Sequence, residues 1–364
     1  MAVRDVLIVG GGPSGLSAAI AAKQHGLDYV VVEQGVLVNS IFRFPPQMVF
    51  FTTPELLEIG GVPFVSPYDK PTRQEALRYY RKVADAHDLQ IAFDERVVAV
   101  RRDEAEQLFE IETHSSKGVR RVRLARSVVF AIGYYDHPVR LGIPGEDLPH
   151  VSHYFGDPHL HYRQRAVIVG GGNSAAEAAL LLYRAGAHVT LVHRQPTLKR
   201  TIKYWVRPDI ENRIKEGTIA ARFGAALSEI RPASVVVRAI SEMPADDEPA
   251  RQRELFADAD ASHAPAAEVV SPSAPATDEI AADAVYLLTG YRADGDLLCR
   301  AGVRLNDRDA PIFDPETFET NVPNLFVAGG AVAGRDTGTI FIENGRFHGE
   351  KIVDVISARL TDRR

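Results

Sequence analysis

A chain of 364 residues that is 45% hydrophobic and 25% charged has the composition of a globular protein of about two domains. Its formal net charge of -6 offers no attractive field to nucleic acid, and no apolar run approaches the ~20 residues a membrane-spanning helix needs, so neither partner is expected. One cysteine, Cys299, rules out an intramolecular disulfide and a CxxC pair, so any redox chemistry must use a cofactor.

The first strand signal, Val6-Leu7-Ile8-Val9, starts so near Met1 that no signal peptide fits before it, and a cytoplasmic location is expected. It opens into Gly10-Gly11-Gly12-Pro13-Ser14-Gly15, an Ala-rich helix from Leu16 to Gln24, and a second strand, Tyr29 to Glu33. That is a β-α-β unit of a parallel sheet. Three alternating runs follow, Val97 to Arg102, Leu108 to Thr113 and Val119 to Leu124, which predict an antiparallel insertion. Ser127 to Gly133 is an apolar strand that ends one sheet at a glycine, where the chain must turn beside a ligand.

The same grammar returns about 160 residues later, which suggests an internal duplication. Ala166-Val167-Ile168-Val169 leads into Gly170-Gly171-Gly172-Asn173-Ser174-Ala175, a helix from Ala176 to Ala185, and a strand from His188 to His193. Residues 241–277 hold ten Ala, five Pro and eight acidic against two basic residues, and read as a flexible insertion between strands. Ala284 to Tyr291 is the counterpart of 127–133, with Gly290 at its turn. Cys299 falls in a short helix as a buried, inert thiol. A late strand, Asn324 to Val327, reaches Gly329-Gly330 before a C-terminal helix at about 339–360. The expected fold is α/β, two Rossmann-like dinucleotide-binding domains with antiparallel β insertions. Residues 1–140 and 285–364 are expected to form the domain of the first motif and 155–284 that of the second.

The cofactor assignment rests on the ends of the second strands. Gly10, Gly12 and Gly15 permit a tight turn, close approach of a pyrophosphate and close helix packing, with Pro13 and Ser14 at the helix N-terminus. Glu33, followed by Gln34, offers a carboxylate to ribose hydroxyls, which suits FAD. Asn39, Ser40 and Phe44 follow in the loop that faces the crevice, and Val98, Ala131, Gly133, Gly329, Gly330, Ile340 and Phe341 complete the flavin site. Around the second turn, Gly170, Gly172, Asn173, Ser174 and Ala175 form the G/A variant of the motif, completed by Gly290. There the strand ends in His193-Arg194, with Lys199 and Arg200 nearby. A carboxylate would repel a 2′-phosphate, whereas Arg offers it a charge-assisted fork, so NADPH is expected over NADH. No His, Cys or carboxylate cluster has metal-ligand spacing. His137 and His153 are read as hydrogen-bonding residues, with proton donation to an acceptor as the alternative, and Trp205 either shields a ring or packs.

The two glycine motifs, Ala131-Ile132-Gly133, Leu288-Thr289-Gly290 and His193-Arg194 resemble low-molecular-weight thioredoxin reductases, without their CxxC pair. The chain more closely resembles the YpdA family, the bacillithiol disulfide reductases. The matching stretches are Val38 to Pro45, Phe51 to Gly60, Pro71 to Leu77, Gly133 to Pro138, Ser152 to Phe155 and Phe341 to Arg346. The resemblance implies an NADPH-dependent FAD oxidoreductase that reduces a small acceptor such as bacillithiol disulfide, and a homo-oligomer is expected. Two departures stand out. The family's active-site cysteine lies where this chain has Ser14, whose hydroxyl cannot form a mixed disulfide. The Asp that holds the ribityl chain in the wider superfamily is replaced here by Gly330 and Ala331. Ser14 is the position to watch for catalysis, and a quinone, dioxygen, a second flavin or another small molecule stands beside the disulfide as acceptor. A flavin monooxygenase is the weaker enzyme reading, since FxGxxxHxxx(Y/F) is not met between Ile143 and Phe155. A non-catalytic redox-sensing flavoprotein rests only on the acidic insertion.

Overall fold

The computed structural model describes residues 2–240 and 277–361, and the chain divides into two compact units, 1–137 with 291–364 and 138–290. The acidic stretch falls almost wholly outside the described residues; its last residue, Thr277, already belongs to a strand.

In the first unit, β1 (Val3–Val9) lies between β2 (Tyr29–Glu33) and β6 (Arg120–Phe130), parallel to both. The described residues form a seven-stranded sheet in the order β3-β2-β1-β6-β5-β4, with β15 (Leu325–Val327) beside β6. β3 is Ile91–Phe93, β4 Arg96–Asp103 and β5 Leu108–His114. Every residue of β2 and the last four of β1 are buried, as a parallel sheet covered on both faces requires.

One sequence expectation is corrected here. The runs 119–124 and 127–133 are not two strands. They form one, β6, whose first half pairs antiparallel with β5 and whose second half pairs parallel with β1 and β15. Its burial changes accordingly, from half-exposed over Arg120–Leu124 to fully buried over Ser127–Phe130. A single strand can join the parallel and antiparallel parts of the sheet because only one end of it is covered on both faces.

Helix α1 (Pro13–Gln24) is buried from Gly15 to Ala22, so it has no polar face to predict from. It packs on the C-terminal helix, where a Cβ on Gly349 would stand 2.3 Å from the Ala18 nitrogen. Only glycine lets these backbones approach so closely. The expected C-terminal helix is interrupted: Ile342–Gly345 forms one turn and His348–Thr361 the long helix. The stretch from Pro71 forms the capping box of helix Arg73–Ala86, in which Thr72 and Glu75 bond reciprocally. Cys299 lies in the helix Gly295–Arg300, but it is exposed, because Leu297 and Leu298 take the inward positions.

The second unit has a five-stranded parallel sheet in the order β10-β9-β8-β14-β7. Its strands are β7 (Val151–Ser152), β8 (Arg165–Val169), β9 (His188–His193), β10 (Ala220–Phe223) and β14 (Ala284–Leu287). A three-stranded antiparallel sheet joins it, made of β11 (Ala225–Arg231), β12 (Ser234–Ala239) and β13 (Thr277–Ala281). The expected boundary at 285 cuts through β14. That strand pairs with β7 and β8, so the chain leaves this unit only after Gly290.

Candidate functional site

The carboxyl ends of β1 and β6, where strand order reverses, open a crevice in the first unit. Gly10 adopts φ +108°, and a Cβ there would lie 2.4 Å from the Ala131 oxygen. A Cβ on Gly15 would lie 2.0 Å from the Gly10 oxygen, so both are held to glycine by backbone. Gly12 meets nothing within 4 Å; it caps α1 and lines the crevice, leaving space at a helix N-terminus for a phosphate group.

Glu33 lines the same crevice, 5% exposed. Its oxygens accept hydrogen bonds from the Gly11 nitrogen at 2.7 Å and the Gly35 nitrogen at 2.8 Å. Burial pushes its carboxyl above the ordinary range, against those two bonds. Each oxygen keeps acceptor capacity for a ribose hydroxyl. Val38 takes a left-handed conformation (φ 48°) that a β-branched residue rarely adopts, and its nitrogen donates to the Gly11 oxygen at 3.0 Å. That strained residue brings Asn39, Ser40 and Phe44 to the crevice.

Of the expected flavin residues, Pro13, Ser14, Gln34, Ala131, Gly133, Gly330, Ile340 and Phe341 also line the crevice. Others do not. Val98 gives way to Val97: the pairing of β4 with β5 shifts register between Val97 and Ala99, which leaves Val98 at a bulge. Gly15 and Gly329 lie buried behind the wall. Gly329 is pressed so close to Ser14 that a Cβ on it would stand 2.3 Å from the Ser14 Oγ. The Phe341 nitrogen donates to Asn344 Oδ1 at 2.8 Å.

Several lining residues were not expected. Asp136 accepts from Gln34 at 2.8 Å and pairs with Arg43 at 2.5 Å, joining three loops at the rim. His137 pairs with Asp294 at 3.4 Å. Phe44 meets Tyr135 edge-on at 4.8 Å. The signal was present in Gly133-Tyr134-Tyr135-Asp136-His137, a polar and aromatic run directly after a buried strand. Glu95, a further wall residue, is gripped by Arg123 at 2.7 and 2.9 Å. Burial opposes its charge, but Arg123 holds its carboxyl below the ordinary range.

The second unit repeats the construction. Gly170 adopts φ +146° with its Cβ position 2.5 Å from the Leu288 oxygen, and Gly172 caps helix α4 (Asn173–Arg184). Gly290 follows β14 at φ +103°, Ala175 is buried and Ser174 exposed. Two expectations change. His193 is 5% exposed, and its ring packs against Gly171, whose Cβ would stand 2.2 Å from Nε2. Burial, with Lys199 and Arg194 nearby, lowers its pKa to about 4, so it is a neutral ring and brings no charge to a phosphate. Asn173 turns its side chain to the backbone, with Nδ2 donating to the Thr201 oxygen at 3.0 Å and Oδ1 accepting from the Lys203 nitrogen at 2.8 Å. Arg194 and Arg200 are exposed, and the Lys199 Cδ lies 3.8 Å from a Cβ placed on Gly172. His153 pairs with Glu146 at 3.3 Å, and Trp205 receives the Lys203 ammonium at 5.6 Å from its ring centre. No helix among the described residues is long and apolar enough to cross a membrane.

Comparison with known proteins agrees with this construction. The family model described as pyridine nucleotide-disulphide oxidoreductase matches residues 7–250. Bacilliredoxin reductase Bdr of Bacillus subtilis (strain 168) is 38% identical over 360 residues, 99% of each chain. The solved Bacillithiol Disulfide Reductase Bdr (YpdA) from Bacillus cereus superposes with a TM-score of 0.86 at 34% identity, over 98% of this chain and 100% of that one. Thioredoxin reductase from Lactococcus lactis, at 18% identity and a TM-score of 0.71 over 99% of each chain, shares the fold. The expected resemblance and fold class therefore hold. This chain belongs to the pyridine nucleotide-disulphide oxidoreductase family, in its YpdA branch, and is a pyridine-nucleotide-dependent flavin oxidoreductase.

Proposed function

We propose that the first unit binds FAD, the second binds NADPH, and the enzyme reduces a small disulfide of the kind named for Bdr. The observation that carries this reading is the pair of matched glycine turns, one closed by a buried carboxylate and the other bordered by Arg194, Lys199 and Arg200. Glu33 would hold the flavin's ribose, and the Gly12 gap its diphosphate. Lys199 and Arg194 would hold the 2′-phosphate. When bound, the nicotinamide supplies a hydride and the flavin passes its two electrons onward. One NADPH and one proton convert one disulfide to two thiols.

Ser14 favours a second reading of the acceptor. Its hydroxyl can neither attack a disulfide nor hold a sulfur, so no protein thiol at that position relays electrons. A quinone or another small oxidant meets that constraint without a thiol. The test is anaerobic titration of the flavin-loaded protein with NADPH and with NADH, then addition of bacillithiol disulfide or a quinone to wild type and Ser14→Cys. Bleaching by NADPH and reoxidation of wild type by the disulfide is the expected result. Reoxidation by the disulfide only in Ser14→Cys assigns the native acceptor to the second reading. Protein that takes up no flavin overturns both.

A further inference from the structure

The segment 198–206 crosses the second glycine turn as a strap. Leu198, Ile202 and Val206 are buried in the core that also receives α4. Lys199 and Arg200 remain outside that core. The strap is fastened to the turn at four points. The Lys199 nitrogen donates to the Gly171 oxygen at 2.9 Å. Asn173 grips Thr201 and Lys203 through both ends of its amide. Lys203 Nζ, nearly buried, pairs with Glu177 on the next turn of α4 at 2.6 Å.

We propose that Asn173 is a positioning residue for nucleotide selectivity: by pinning the strap, it holds Lys199 beside Gly171 and the His193 ring packed on it, at the end of β9, where a 2′-phosphate would be read. This rests on the assignment of the second unit to NADPH. Asn173 opens α4 beside Gly172 and would itself be taken for a phosphate contact, but its amide is turned to the strap. The phosphate would be recognised by Lys199, whose place depends on bonds that Lys199's own side chain does not make. Burial lowers the His193 pKa most, and Lys199 beside it adds to the shift.

The experiment is calorimetric titration of the full chain with 2′-phospho-ADP-ribose and with ADP-ribose, which differ only by the phosphate. Asn173→Ala is expected to weaken the phosphorylated ligand about tenfold and the plain one less than about twofold. Lys199→Ala should do the same, and the double variant should lose little more, because both act through one ammonium. Asn173→Asp keeps the acceptor for the Lys203 nitrogen and loses the donor to Thr201. It should fold like wild type and show an intermediate loss. Equal weakening of both ligands, or additive losses in the double variant, would overturn the proposal. Wild type that does not prefer the phosphorylated ligand would overturn the NADPH assignment and the strap with it, whereas a preference that survives Asn173→Ala sinks the strap alone.

Discussion

Gly10-Gly11-Gly12 and Gly170-Gly171-Gly172 follow buried parallel strands of the same kind, and each first glycine lies against a carbonyl at the exit of a neighbouring strand, Ala131 in one unit and Leu288 in the other. They differ in what lies beneath the middle glycine. Glu33 accepts the Gly11 N–H, while His193 presents a neutral ring to Gly171. They also differ in the third small residue, since a Cβ is impossible at Gly15 but present and buried at Ala175. The last residue of the second strand is thus part of the turn's own structure as well as its ligand chemistry. A motif written as glycines leaves that out.

The most forceful way to break the comparison is to exchange the third residues. Gly15→Ala drives a methyl into the Gly10 carbonyl and should destabilise the first unit by about 3 kcal/mol with loss of bound flavin. Ala175→Gly should cost only about 1 kcal/mol and spare the flavin. Denaturant midpoints and flavin absorbance of the two variants read this directly, and equal effects would mean the turns are built alike. Next in size, Glu33→Ala orphans the buried Gly11 N–H at about 1–3 kcal/mol, while water can reach the half-buried Gly35 N–H, and flavin should be released on dilution, followed by its fluorescence.

Acid sharpens the contrast. His193 titrates at about 4 in the folded chain, below its ordinary value of 6.5. A group depressed in this way contributes stability that is full above pH 6.5 and is lost as the pH falls through 4. His193→Gln should therefore lose less stability between pH 7 and 4 than wild type, by up to about 3 kcal/mol. His348, with its pKa also lowered to about 4, acts in the first unit in the same direction, so the readout is the difference between the two proteins in urea midpoint. Superimposable pH curves would remove His193 from the account. The smallest effect lies outside both turns. Cys299→Ser, at an exposed site, should change stability by less than about 0.5 kcal/mol and leave NADPH oxidation unaltered.

The residue pattern alone determined the two strand–glycine–helix units, their α/β class and about half of the crevice residues. It could do so because a buried parallel strand must be apolar throughout, and a tight turn beside a helix N-terminus must be glycine. Its errors share a cause. Val98, His193, Asn173 and Cys299 were each placed by sequence neighbourhood, and what a side chain meets is set by how its element packs: the pairing of β4 with β5 that leaves Val98 at a bulge, the Gly171 above His193, the Thr201 and Lys203 that hold Asn173, and the core that takes Leu297 and Leu298 and turns Cys299 outward. The merging of two predicted strands into β6 likewise needed β1, β5 and β15 in place. Periodicity reports which face of an element is covered. Only the tertiary structure decides what covers it, because hydrogen bonds and packing act over a few ångströms of space however many residues separate the groups.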